Sequence, residues 1–556
     1  MKVTRRDLLV WSAGAAAGLM VTPVPWKILD DVSIWSQNWP WIPQPTRDPV
    51  EIKNSACTLC PKGCGLRVRV AGGWPVGVSG SATHPVTQGA LCPLGFGAHQ
   101  LNWHPQRIKS VRHANQNASW AEARAAFQKA CAEGPVVVLD GYPNRAASCG
   151  LESFARKNSG SYRVVPTPEL RALQPYESWS GVPAASLGYD LENTRTIISF
   201  GAPLLDGWGS PGSLTRLWAE RAAGMSDPQL RLIQIEPSLS RTAARAWQWI
   251  PIPAESISVL AAGLARVLVE QKLVPTHGPI PSVNLSEVAA QTGLTPSAME
   301  NLARTIAGRT PAVAIANDFN PAIAALNVLL GAVGTRGGII RNSADIQKFA
   351  FAETDIPRAR AVVLDSSVPW DFVPRTSAEV FHFAAWQGES DRADWLLPAP
   401  GFLEELTDVP TAPAFAFATY AVAPALSKPQ FEVHSAAEFM VQCDGTLTSP
   451  EKTIHARCQE IFQRRAGSLY GQAITQVDKI ESAQKLEEQL SNGAVWVASP
   501  SHPAKLSCAL KQWPESVAPT DAPGWSAEWP AAILPPLASK LYVESKLRET
   551  PERRDA

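Results

Sequence analysis

Cys57-Thr58-Leu59-Cys60-Pro61-Lys62-Gly63-Cys64, answered by Gly89-Ala90-Leu91-Cys92-Pro93-Leu94-Gly95, are the segments on which the reading of this fold turns. The first spaces three thiols as Cys-x2-Cys-x3-Cys, and the second supplies a fourth from a later loop. Three thiolates crowded into one short loop wrap one side of a compact metal centre. A fourth from elsewhere closes it, which is how a [4Fe-4S] cube is held. The predicted ligands are Cys57, Cys60, Cys64 and Cys92. Structural zinc prefers two separated cysteine pairs, and covalent haem needs a histidine where Pro61 stands. Zinc, and disulfides in an exported chain, are the alternative readings.

Gly63, Gly65, Gly89 and Gly95 flank the ligands, where a backbone must bend tightly and aim N–H groups at sulfur. His84, His99 and His104 lie nearby and are expected as ordinary core or surface groups. Cys131, Cys149, Cys443, Cys458 and Cys508 show no ligand spacing and are expected as free buried thiols. Between the third and fourth cysteines, Leu66-Arg67-Val68-Arg69-Val70 alternates as a strand. Gly72-Gly73 turns, and Pro75 to Gly80 returns.

Outward from this module the pattern becomes helix–strand alternation. Trp120 to Cys131 is amphipathic with Ser119 as its cap. Pro135 to Asp140 is a short continuous apolar run, the mark of a strand covered on both faces. The run recurs at Thr196–Gly201, Leu230–Ile235, Ala312–Ala316 and Ala361–Asp365, with helical stretches such as Ser256–Leu268 and Pro296–Ala307 between. The expected fold class is α/β: a small N-terminal iron-sulfur module, then doubly wound α/β domains, then a reduced C-terminal domain. The expected division is 1–29 signal or anchor, 30–49 an extended Trp/Pro arm, and 50–112 the cluster module. An α/β domain follows over 113–172 plus 338–425, interrupted by an inserted one over 173–337, with 426–556 as the C-terminal domain and tail.

Composition narrows the function classes. The 556 residues carry 50 Lys+Arg against 50 Asp+Glu, so no basic excess exists to neutralise phosphates, and nucleic-acid binding is not expected. Charged residues are 18%, below the usual ~25%, while Trp reaches 20 and Pro 48, a balance that suits a surface covered by partners. At the start, Arg5-Arg6 precede an apolar stretch from Leu8 to Val21. This pattern reads as a twin-arginine export signal, shorter than the ~20 residues that span a bilayer. No clear Ala-x-Ala site follows, so the signal is expected to be able to persist as an anchor on the periplasmic side of the membrane.

The cysteine spacing, the α/β run and several phrases together resemble the molybdopterin oxidoreductase family. The phrases are Gly89–Gly95, Gln234-Ile235-Glu236-Pro237, Leu326–Gly331 and Ala393–Pro400. The resemblance implies two pyranopterin guanine dinucleotides around molybdenum or tungsten at the strand tips, fed by the cluster. Three departures argue against that cofactor here. Leu94 stands where catalytic members carry Lys or Arg. Trp179 stands near the metal-ligand position, leaving Ser178, Ser180 or Cys149 as substitutes. Pro253-Ala254-Glu255-Ser256 and Trp247 replace the nucleotide-binding residues, the indole being expected to occupy space.

Loss of cofactor residues with a retained cluster resembles one subgroup, the non-catalytic molybdopterin-binding-like subunits of menaquinone reductase and alternative complex III assemblies. The arm Trp35–Pro43 and the tail Leu537–Ser545 share that likeness. It implies one [4Fe-4S] cluster, no molybdopterin, no catalytic residue, and a place in a quinone-linked respiratory complex. The implied partners are a multi-cluster ferredoxin-like subunit, a multihaem cytochrome c and an integral membrane quinone-binding subunit, through which the chain would touch the membrane. The competing expectation is an active molybdenum or tungsten bis-pterin oxidoreductase with an unusual metal ligand.

Overall fold

The computed structural model describes residues 3–21, 27–28, 49–225, 227–274, 279–342, 359–370, 373–388, 392–498, 506–508 and 510–514. The arm expected over 30–49, its last residue excepted, and the tail Leu537–Ser545 lie outside the described residues. The chain divides into two units, 1–51 and 52–556. In the first, Arg5–Val21 is one helix, started where the Thr4 hydroxyl and the Asp7 carboxylate exchange hydrogen bonds with each other's backbone N–H. Leu8, Leu9, Trp11, Leu19 and Met20 are exposed on it. Among the described residues no helix is long and apolar enough to cross a membrane.

The second unit opens with the cysteine module. Its hairpin pairs Gly65–Ala71 with Trp74–Gly80, and Glu51–Ala56 completes a three-stranded sheet. Gly72 and Gly73 both have positive φ and make the turn read from the sequence.

A seven-stranded sheet follows. Five strands are parallel, in the order Trp395–Pro398, Glu379–Ala384, Ala361–Leu364, Val136–Asp140 and Ser161–Val164. The short pieces Arg112–His113 and Gln116–Asn117 are added antiparallel at one edge. Its strands read as unbroken apolar runs because both faces are covered. Val136, Val138, Ala361 and Val363 join one core, whereas Val137, Leu139, Val362 and Leu364 join another on the opposite side. The helix Trp120–Glu133 packs on the first face, begun by a capping box between Ser119 and Glu122. It inserts Phe127 among Phe154, Phe381 and Phe439, with ring centroids 5.4, 5.1 and 5.5 Å away. Burying each such ring is worth about 1.5–3 kcal/mol.

Inserted in sequence between the two halves of this sheet is a second parallel sheet, ordered Gln248–Ile250, Arg231–Ile235, Thr196–Phe200 and Ala312–Ala316. Its core takes in Leu506 from near the end of the described chain, with Cys508 and Trp513 packed against it. The C-terminal sheet is antiparallel and five-stranded: Thr407–Pro410, Thr419–Ala423, Val495–Val497, Ser468–Tyr470 and Ile474–Gln476. Two of its strands come from before residue 426, so this sheet spans the boundary expected from the sequence. Pairing changes from parallel to antiparallel already at Thr407–Pro410.

In both parallel sheets the strand order reverses once. The reversal lies between Val136–Asp140 and Ala361–Leu364 in the large sheet, and between Thr196–Phe200 and Ala312–Ala316 in the small one. Open α/β sheets bind ligands beyond the carboxyl ends of strands at such reversals.

Candidate iron-sulfur centre and strand-tip site

The strand Glu51–Ala56 delivers Cys57, and the loop then returns so that Cys57 N–H donates to the Cys64 carbonyl at 2.7 Å. Gly63, at φ +60°, permits the turn before Cys64. The hairpin carries the chain away and back. Cys92 then caps the short helix Pro93–Gly97, accepting Gly95 N–H on its sulfur at 3.4 Å. Cys57, Cys60 and Cys64 are buried and Cys92 is half-exposed.

Gly95 N–H donates to the Cys92 sulfur at 3.4 Å, and the backbone N–H groups of Leu59 and Lys62 favour the thiolates of Cys57 and Cys60. Donors aimed at sulfur stabilise thiolate and tune the centre it holds. Burial pushes the Cys57 and Cys64 thiols far up and Cys60 to about 11, and the neighbouring cysteines add to the rise at all three. Three thiols so buried reach the thiolate state only around a cationic core, so the donor set fits an iron-sulfur cube. None of the nine cysteines is disulfide-bonded. Among the described residues no three His, Cys, Asp or Glu side chains converge closely enough for a single metal ion.

His84 is buried, its pKa lowered by burial to about 4, and its Nδ1 accepts the backbone N–H groups of Val86 and Thr87. It shapes the loop that leads to Cys92. Of the other five cysteines only Cys458 is buried. Cys131, Cys149, Cys443 and Cys508 are half-buried because they sit on the margins of their packed segments. Cys149 accepts from Arg457 at 3.3 Å, a guanidinium that also pairs with Asp408.

The strand tips of the large sheet hold a buried ionic group that sequence reasoning missed. Asp140 ends one strand and Asp365 follows its neighbour, and Arg145 bridges them, with Nη2 2.9 Å from Asp140 and 2.6 Å from Asp365. Ser148 and Tyr162 donate to Asp140, and Ser367 donates to Asp365. Burial alone would lower the Arg145 pKa, but Asp365 and Asp140 outweigh it and hold the guanidinium charged. The signal was present as an aspartate closing each of two apolar runs, Leu139-Asp140 and Leu364-Asp365.

This group occupies the strand-order reversal, and a cavity of about 90 Å³ adjoins it, lined in part by Cys60, Tyr142, Arg145, Ser367, Trp386 and Glu405. Small-molecule pockets run to about 300–1,000 Å³. Two carboxylates against one guanidinium leave the locus net negative, and a pyrophosphate needs the reverse. The residues at this tip therefore do not fit a pterin dinucleotide.

The substitute metal ligands are already engaged. Ser178 Oγ donates to the Pro175 carbonyl at 3.0 Å and Ser180 Oγ to the Tyr176 carbonyl at 2.7 Å, both within their own turn. Trp179 stands edge-on to Tyr176 at 5.9 Å and packs on the inserted core. Trp247 does not fill a pocket as expected. It is 43% exposed beneath the Arg231 guanidinium, because it leads into the edge strand Gln248–Ile250.

The quartet of thiols, the hairpin between them and the two parallel bodies define a protein of the molybdopterin-enzyme fold with an Fe4S4 domain at its N-terminal side. Residues 50–102 match the molybdopterin oxidoreductase Fe4S4 domain. The chain is 28% identical, in an alignment that covers 80% of it and 72% of the relative, to the menaquinone reductase molybdopterin-binding-like subunit of Nitratidesulfovibrio vulgaris. It is 24% identical over 312 residues to the nitrate-inducible formate dehydrogenase major subunit of Escherichia coli, which spans 49% of this chain and 29% of that one. Acetylene hydratase from Pelobacter acetylenicus shares the fold, with a TM-score of 0.61 at 12% identity over 80% of this chain and 74% of its own.

Proposed function

We propose that this chain is a [4Fe-4S]-bearing, non-catalytic subunit of a quinone-linked respiratory electron-transfer complex. Cys57, Cys60, Cys64 and Cys92 hold the cluster, and the α/β bodies act as a scaffold without molybdopterin. The observation that carries this reading is the contrast between two sites. The thiol quartet is complete and free of disulfides, with Gly95 N–H on Cys92, whereas the strand tip is closed by Asp140, Arg145 and Asp365. Similarity to a menaquinone reductase subunit supports the quinone link. Partners of the kinds that resemblance implies, a ferredoxin-like subunit, a multihaem cytochrome c and a membrane quinone-binding subunit, complete the assembly. Arg5 and Arg6, at the start of the exposed N-terminal helix, direct export to the periplasmic side by the twin-arginine route.

Metal analysis of the purified complex tests this. Four irons per chain with neither molybdenum nor tungsten is the expected result. Stoichiometric molybdenum or tungsten with extractable pterin overturns it.

A further inference from the structure

Within the first cysteine loop, Lys62 lies between Cys60 and Cys64 with its side chain only 1% exposed. Its ammonium pairs with the Glu169 carboxylate, also 1% exposed, on the helix Pro168–Leu173. The same Glu169 oxygen accepts Gly209 N–H, while the other has no hydrogen-bond partner. One carboxylate thus ties the cluster loop to the inserted body.

We propose that the Lys62–Glu169 pair sets the reduction potential of the cluster, Lys62 raising it and Glu169 tempering it. The inference rests on the cluster assignment made above. Reduction adds one negative charge to the centre. A cation held in a water-excluded site beside two ligands favours that charge, and an anion behind it opposes it. Lys62 is two residues from both Cys60 and Cys64 and is excluded from water, so its charge stands against the centre that they hold. A solvated lysine would be screened, whereas this one is not. A pair kept only for stability would let either charge be removed with no electrochemical consequence wherever the variant still assembles.

The test is a redox titration of the full chain, monitored by electron paramagnetic resonance, on wild type, Lys62→Met, Glu169→Gln and the double variant, each with its iron content measured. At a fixed potential Lys62→Met should cut the reduced-to-oxidised ratio about tenfold, a lowering of about 59 mV for one electron. Glu169→Gln should shift it in the opposite direction, and the double variant should return near wild type. Should Lys62→Met not assemble, the double variant leaves no buried charge unpaired, and measured against Glu169→Gln it must lie lower. Equal potentials in all assembled forms, or shifts of one sign, overturn the proposal while leaving the cluster assignment standing. A wild-type chain without a four-iron centre overturns both.

Discussion

Gly80 meets Gly89 so closely that a Cβ on Gly80 would stand 2.0 Å from the Gly89 carbonyl oxygen. Gly80 closes the returning strand of the hairpin opposite Leu66, and Gly89, at φ +90°, starts the approach to Cys92. The contact sets where the fourth thiol arrives relative to the other three. Gly80→Ala is therefore expected to push the 81–92 loop outward. The cost is about 1–3 kcal/mol of overpacking strain, and iron per chain should fall. Thermal unfolding together with iron analysis checks this; an unchanged melting temperature with full iron would refute the contact's role.

Cys92 is the half-exposed member of the quartet, and Cys458 is a buried thiol in the core of the C-terminal sheet. Cys92→Ala should release one iron and leave a three-iron resonance signature. Cys458→Ala should leave the cluster spectrum intact and cost only the packing of a small side chain, about 1 kcal/mol. Identical spectra from the two variants would remove Cys92 from the ligand set.

The strand-tip group makes a different forecast. Arg145→Met leaves Asp140 and Asp365 facing each other at 0% and 2% side-chain exposure. Stability should drop by about 3–5 kcal/mol, the usual result of stranding a buried charge. Adding Asp140→Asn and Asp365→Asn should recover part of the loss. Denaturant midpoints compared across the series decide it; a single variant as stable as wild type would show that the guanidinium is dispensable.

Much of the architecture was legible because its strands are covered on both faces. Val136–Leu139 and Ala361–Leu364 must be apolar at every position, so the run is visible without any period. Ser119 as a helix cap, and Gly72 with Gly73 as a turn, were equally readable because local chemistry fixes them. The cysteine quartet stood out because few centres use that spacing. The Arg145 bridge showed only as an aspartate closing each of two apolar runs and the Lys62–Glu169 pair not at all, since each joins residues far apart in the chain whose types are common at surfaces. Trp247 misled for the related reason that an indole's burial depends on strand order, and its strand lies at the sheet edge.

His434 gives a prediction in pH. Its Nδ1 lies 3.3 Å from Glu438 and its Nε2 3.6 Å from Glu432, while its ring meets the edge of Trp120 at 4.7 Å. The hydrogen bond to Glu438 raises its pKa against the opposing effect of burial, with the Glu438 and Glu432 charges adding to the rise. A histidine whose pKa is raised on folding stabilises the protein below its unfolded value of about 6.5. That contribution fades as pH climbs through the higher folded value. Both carboxylates are well exposed, which limits the gain to under about 1 kcal/mol. Wild type should therefore lose stability relative to His434→Gln between mildly acidic and mildly alkaline buffer, and added salt should flatten the difference. Parallel urea titrations across that range measure it directly. A gap that widens with rising pH would mean that His434 is held neutral by burial instead.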